Sequence, residues 1–177
     1  MAVERLDGRE QMTATVVPSG HPLAAGLDGN DTLAAQGFTV PATARLHPTE
    51  FGPRFRITDP EAAVIARFAD GKGALAARDF GDWKSVYSVV PRLEAPMLRN
   101  ILRWAGVHIY TEDPVSLDVN RNVLVVHNGY EAARDVDLVL PRKADVVDAL
   151  TGTPLASGTD ALTLRLEKAD TRVLFLR

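Results

Sequence analysis

The side chains of this sequence that could do chemistry are four histidines, several closely spaced carboxylates and a few aromatic rings in turns. The histidines are His21, His47, His108 and His127. No two have the i, i+4 spacing that sets two imidazoles on one helix face for a metal, and none neighbours a carboxylate in a ligand motif. They read as turn or half-buried residues. Hydrolysis by paired carboxylates needs two acids about 5–10 Å apart across a cleft. Asp135 and Asp137 alternate with Val136 and Leu138, so a strand would turn both acids to solvent and both aliphatics to a core. They are the wet side of a strand rather than a catalytic pair, and no convergent acid pair is visible elsewhere. No Gly-x-Ser-x-Gly elbow is present, and Ser85 and Ser88 read as structural. Asp70-Gly71-Lys72-Gly73 has the composition of a phosphate loop but joins two strand-like runs, which makes it a hairpin turn. Aromatic rings stack on the apolar faces of pyranosides, so Trp83, in a turn, and Tyr130, after Asn128-Gly129, are the candidate carbohydrate-binding residues. The plainer reading of Trp83 is a ring folded back over its own hairpin. Trp104 is assigned to the core or an interface.

Composition narrows the function classes further. The 177 residues are 46% hydrophobic and 24% charged, with a net charge of -3, which suits a globular chain of one medium or two small domains. A slightly acidic chain is not an expected partner of nucleic acid or of an anionic membrane surface. No apolar run is long enough to span a bilayer. The absence of cysteine removes disulfides, thiolate metal sites and thiol nucleophiles together. Neither a metal nor a cofactor is expected. Met1 to Gly8 carries charges where an export signal needs its apolar core, so a cytoplasmic location is expected.

The elements that must position these residues change in texture along the chain. Residues 1–54 are dense in turn formers, such as Pro18-Ser19-Gly20-His21-Pro22, His47-Pro48 and Gly52-Pro53, with short strands expected at Met12–Val17 and Gly37–Val40. Residues 55–90 predict a β meander: Ala63–Phe68, the turn at Asp70–Gly73, Ala74–Asp79, the turn Phe80–Lys84, then Ser85–Val90. The last of these lacks alternation and is expected to be covered on both faces. Residues 94–105 predict the one long helix. Met97, Leu98, Ile101, Leu102, Trp104 and Ala105 form its stripe, Pro96 stands in the first turn, Gly106 follows the last, and Arg99 and Arg103 lie on a solvated face. From Val107 onward, strand-like runs recur at Val107–Tyr110, Val115–Val119, Val123–His127, Val136–Leu140, Val146–Leu150, Ala161–Leu166 and Arg172–Leu176. Turns are expected at Asn128-Gly129, at Thr151-Gly152-Thr153-Pro154 and at Ser157-Gly158. This is the pattern of a small antiparallel β-sandwich. The fold class is therefore β-rich α+β, with expected domains at 1–107 and 108–177.

The order of short motifs resembles a known family. His21-Pro22-Leu23 and Gly26-Leu27 are followed by the run Ala63 to Arg78, then by Val86-Tyr87-Ser88. Leu98-Arg99 leads through Trp104-Ala105-Gly106-Val107-His108-Ile109-Tyr110 to Leu124-Val125-Val126-His127-Asn128, Leu138-Val139-Leu140-Pro141 and Val147-Asp148-Ala149-Leu150-Thr151-Gly152. Over residues 20–177 this is similar to the C-terminal part of family-42-like β-galactosidases and related large glycoside hydrolases. In that family a catalytic TIM barrel precedes a glutamine-amidotransferase-like trimerisation domain and a small β-sandwich. The resemblance implies that residues up to about 107 are the end of the trimerisation-like domain, with Ser85–Val90 as a central strand, and that the rest is the sandwich. It also implies that the barrel and its two catalytic glutamates lie outside this sequence, so no residue here inherits a catalytic role. The missing cysteine closes the amidotransferase route. The expected function is a non-catalytic structural and oligomerisation module, forming a homo-oligomer or joining a catalytic barrel chain. An incomplete sheet leaves an edge open for such pairing. The alternative is a carbohydrate-binding module using Trp83 or Tyr130. A self-contained glycoside hydrolase is the remaining possibility.

Overall fold

Strand-forming residues dominate the computed structural model, which describes residues 1–34, 39–40, 45–46 and 50–177. His47, the His47-Pro48 turn and the first half of the expected Gly37–Val40 strand lie outside the described residues. The chain divides into two compact units, Met1–Val107 and His108–Arg177.

The first unit is built, among the described residues, on a seven-stranded antiparallel sheet. Its centre is the Gly73–Asp79 strand, in which Ala74, Leu75, Ala76 and Ala77 are buried in succession. Ala63–Phe68 flanks it on one side. On the other, Arg54–Ile57 meets it at Gly73 and Lys84–Ser88 pairs with the remainder. A Cβ on Gly73 would stand 3.0 Å from the Ile57 Cβ and 3.2 Å from the Ile57 carbonyl oxygen. Any side chain there would press on Ile57, so glycine eases the convergence of three strands. The sheet continues through Thr13–Val16 to Thr32–Ala34, and Val3–Leu6 pairs with Arg54–Ile57.

Ser85–Val90 is neither central nor covered on both faces. Its ladder runs Lys84–Ser88, pairs among the described residues only with the Gly73–Asp79 strand, and is half-buried. Its apolar run lacks alternation because Val89 and Val90 are buried beyond the ladder, where the chain turns toward the helix. The helix spans Ala95–Trp104, with proline in its first turn and Gly106 following at φ +80. Its buried stripe is narrower than the composition suggests. Met97, Asn100, Ile101 and Trp104 face the core side, whereas Leu98 and Leu102 are exposed. Arg99 is half-buried rather than solvated.

The second unit is one five-stranded antiparallel sheet, ordered Ser116–Val119, Val123–His127, Thr171–Leu176, Arg134–Asp148 and Pro154–Leu166. Three expectations change here. Val136–Leu140 and Val146–Leu150 belong to a single 15-residue strand that ends at Asp148, with Leu150 exposed in the following turn. Pro141 cannot donate to the ladder. Between the pairs Val139↔Ala161 and Ala144↔Thr159, five residue steps on one strand (144 − 139) oppose two on the other (161 − 159). That irregularity bends the sheet, so Val136, Leu138 and Leu140 before it share one core with Ala144, Val146 and Leu174 after it. The layering therefore comes from one continuous sheet. Ser157-Gly158 is not a chain reversal. It lies within the long partner strand, where Gly158 takes φ +58 and its N–H donates to the Asp145 carboxylate (2.8 Å). Val107–Tyr110 is not a strand. The His108 Nε2–H donates to the Val139 carbonyl (2.8 Å) where a ladder N–H would otherwise do so, and the Val139 N–H donates to the Tyr110 carbonyl (2.8 Å).

Candidate functional site

The turn carrying Trp83 is set by the strands on either side of it. The Phe80 N–H donates to the Trp83 carbonyl (2.9 Å) and the Gly81 N–H to the Asp79 carboxylate (2.8 Å). This brings the Phe80 and Trp83 rings into a parallel stack, 4.1 Å between centroids and 5° between planes. Behind Phe80 lies the Arg78 guanidinium, its carbon 4.6 Å from the ring centroid. Arg78 is held by Asp59, at 3.1 and 3.3 Å to its two carboxylate oxygens, and by Glu61. Asp59 is 7% exposed. Burial opposes its ionisation, but the Glu61 and Ala2 N–H groups and Arg78 outweigh this and hold its carboxyl below the usual range. The result is a ladder: Asp59, Arg78, Phe80, Trp83. Its inner end is buried and its outer ring is 55% exposed. Trp83 is thus folded onto its own turn yet still presents surface to solvent.

Tyr130 sits in the second unit, whereas Trp83 sits in the first. Its N–H donates to the Asn128 side-chain oxygen (3.1 Å), and the Arg134 guanidinium lies over its ring at 4.0 Å. The ring is 47% exposed. Each candidate residue is therefore an exposed ring with one arginine in its support, an arrangement that fixes ring orientation through cation–π contact. Phe80→Ala is expected to lower stability by about 1 kcal/mol through loss of the stack. Steady-state anisotropy of the Trp83 emission, in a Trp104→Phe background, should fall with it.

Glu10 and Asp70 both line a depression of about 220 Å³ that also includes Arg56 and Phe68. Arg56 is 3% exposed. Its Nη1 and Nη2 reach the two Glu10 oxygens at 2.6 and 3.0 Å, its Nε donates to Asp70 at 2.9 Å, and its carbon lies 4.0 Å from the Phe68 centroid. The bond from Arg56 is the main cause that lowers the Glu10 carboxyl. For Asp70, burial raises the carboxyl, but the Lys72 N–H and Arg56 outweigh it. A glycosidase acid must hold its proton near neutral pH. These two are pushed the opposite way and are engaged by one guanidinium, so they form a structural ion cluster.

The remaining candidates fall into local structural roles. Asp135 faces solvent and pairs with Arg165 (3.3 Å), while Asp137 accepts from the Thr163 hydroxyl (2.6 Å). The Ser88 hydroxyl donates to the Val90 carbonyl (2.7 Å). His21 Nδ1 accepts the Leu23 N–H (3.2 Å), and burial lowers its pKa. His127 Nδ1 lies 2.9 Å from the Thr171 hydroxyl. Among the described residues no group of acidic and histidine side chains is placed to hold a metal, and no helix is long and apolar enough to cross a membrane. Sequence reasoning missed Arg56, Asp59, Asn100 and Asn128 as organising residues. Only Asn128 carried a signal, through its Asn-Gly turn.

No family model and no curated protein matches this chain. Solved structures do. A β-galactosidase from Bacillus circulans sp. alkalophilus is similar over 99% of this chain and 24% of its own, with a TM-score of 0.56 at 17% identity. A β-galactosidase from Rahnella sp. R3 is similar over 98% of this chain and 23% of its own, with a TM-score of 0.50 at 16% identity. A GH42 β-galactosidase from G. stearothermophilus is also matched, over 100% and 23%, with a TM-score of 0.48 at 16% identity. The chain thus spans about a quarter of the length of these enzymes, and over that quarter it has the fold of part of a β-galactosidase.

Proposed function

We propose that this chain is a non-catalytic structural and oligomerisation module, equivalent to the C-terminal region of a β-galactosidase-like glycoside hydrolase. The observation that carries this reading is the likeness of nearly the whole chain to one quarter of the Bacillus circulans enzyme. In such an arrangement the first unit serves the trimerisation-like role and the second is the terminal β-layer. Open strand edges support the association. Among the described residues, Val3–Leu6 is largely exposed and pairs on one side only, with Arg54–Ile57. Unpaired edge groups are templates for another chain. Sedimentation velocity on the full chain, alone and mixed with a separately made catalytic barrel, is the test. A homo-oligomer or a complex with the barrel is expected. A monomer that ignores the barrel, or a chain that alone hydrolyses nitrophenyl galactoside and loses this on a single carboxylate-to-amide change, would overturn it.

A second reading, carbohydrate binding at Trp83 or Tyr130, is favoured by one observation: the outer ring of the Asp59–Arg78–Phe80–Trp83 ladder is exposed and preoriented. Titration with galactosides and plant polysaccharides, followed by tryptophan fluorescence, tests it. Trp83→Ala should abolish any response. A response that survives both Trp83→Ala and Tyr130→Ala would sink it.

A further inference from the structure

A different part of the first unit carries ligand-binding chemistry. Between the short 3-10 turn Pro22–Ala24 and the C-terminal half of the helix lies a depression of about 630 Å³, lined by Pro22, Ala25, Gly26, Asn100, Arg103 and Trp104. Its size is within the usual range of about 300–1,000 Å³ for small-molecule sites. Its walls are held firmly. Asn100 is 5% exposed, and its Nδ2 donates to the Leu23 carbonyl (3.1 Å) and the Ala25 carbonyl (2.8 Å), tying the 3-10 turn to the helix. The Arg103 Nη1 donates to the Asn100 Oδ1 (3.3 Å). The Trp104 ring is positioned by His21, whose ring stands 5.3 Å away at 61°, and by Lys84, whose Nζ lies 4.9 Å from the indole centroid and donates to the Trp104 carbonyl (2.7 Å).

We propose that this depression binds the ring of a neutral pyranoside, with Trp104, Pro22 and Ala25 against its C–H face and Arg103, positioned by Asn100, toward its hydroxyl rim. The lining chemistry selects the ligand class without reference to any hydrolase. Proline, alanine, glycine and indole surfaces ask for an apolar face. The Arg103 guanidinium, held by Asn100 on the helix side, asks for hydroxyls at one edge of that face, because polar groups buried by a ligand without partners are costly. A small inorganic anion would leave the indole and proline walls unmatched. A purely aromatic ligand would bury Arg103 against carbon. A sugar ring has both surfaces. The site is distinct from Trp83, which lies on the Phe80–Lys84 turn and does not line it.

The chain has two tryptophans, so Trp83→Phe leaves Trp104 as the sole indole reporter. The full chain carrying Trp83→Phe is titrated with methyl β-galactopyranoside and methyl β-glucopyranoside, following fluorescence and ligand-observed saturation-transfer NMR. A saturable response with a dissociation constant on the order of 1 mM is expected for one ring at one site. Arg103→Met should weaken it at least tenfold with the far-UV spectrum unchanged, and Trp104→Phe should reduce the transfer signal. No response up to about 50 mM sugar overturns the proposal. So does a response that persists unchanged in Arg103→Met, or one that vanishes in Trp83→Phe and survives in Trp104→Phe, which would place the sugar on the turn. An oligomer that dissociates in Arg103→Met without any sugar response would assign the depression to a second copy instead. Sedimentation of the parent chain reports on the module reading separately, so the two can fail independently.

Discussion

Arg56→Met is expected to destabilise the first unit by about 3 kcal/mol, the low end of what breaking a buried ion pair costs, because Asp70 is half-exposed. Methionine matches the length of the aliphatic stem, so packing against Phe68 is largely kept. What is lost is the contact to both Glu10 oxygens and the Nε–H bond to Asp70, leaving Glu10 with only the longer Arg54 pair (3.6 Å) and Asp70 without its guanidinium. The same cluster sets an acid response. Glu10 and Asp70 are lowered from their ordinary values of 4.5 and 3.8. As pH falls the unfolded chain binds these protons first, so the stability they contribute is present above about pH 4.5 and is lost below it. Urea midpoints read by tryptophan fluorescence should drop between pH 5 and 3 in the parent, and less so in Arg56→Met. Equal acid sensitivity in both would show that the cluster does not control it. Both tryptophans lie in the first unit, so fluorescence reports on that unit alone.

Asn128→Ala is expected to destabilise the second unit by about 2 kcal/mol, by removing three hydrogen bonds made by one fully buried side chain. Asn128 is fully buried. Its Nδ2 donates to the Ala132 and Glu167 carbonyls, each at 2.9 Å, its Oδ1 accepts the Tyr130 N–H, and its own N–H donates to the Asp170 carbonyl (3.0 Å). One side chain thus joins two loops far apart in sequence. Asn128→Asp keeps the Tyr130 bond but turns an oxygen toward two carbonyls, so it should not rescue the alanine variant. The far-UV circular dichroism midpoint should fall in both variants, while the fluorescence midpoint of the first unit holds. Coincident movement of the two midpoints would mean that the units unfold together.

Much of the architecture was legible before any coordinates. The strands Ala63–Phe68 and Val123–His127, the helix and its terminal Gly106, and the outward Asp135 and Asp137 follow from periods of two and of 3.6 residues. The resemblance to β-galactosidase C-terminal regions also matched a likeness in fold. The misreadings share a cause. Pro141 and Gly158 signal breaks locally, yet each lies inside a long strand because its partner strand continues opposite and the sheet bends there rather than stopping. Ser85–Val90 reads as doubly covered because Val89 and Val90 are buried beyond the ladder, whereas Val86 and Tyr87 within it are only half-buried. Arg54 and Arg56 differ by two residues on one strand and should be equivalent by period, but only Arg56 is sealed between Glu10, Asp70 and Phe68.

By itself the sequence determined the local periods, the turns, the absence of thiol chemistry and the identity of the exposed rings. These depend on neighbours within a few residues, where backbone geometry leaves few choices. Tertiary structure alone decided which polar residues are buried, that Asp59 holds the Arg78 guanidinium, and that Asn100 closes the walls around Trp104. Each of those requires residues distant in sequence to meet: Asn100 lies 77 residues from the Leu23 carbonyl it holds. Such meetings are set by the summed packing of the whole unit, and no local pattern encodes them.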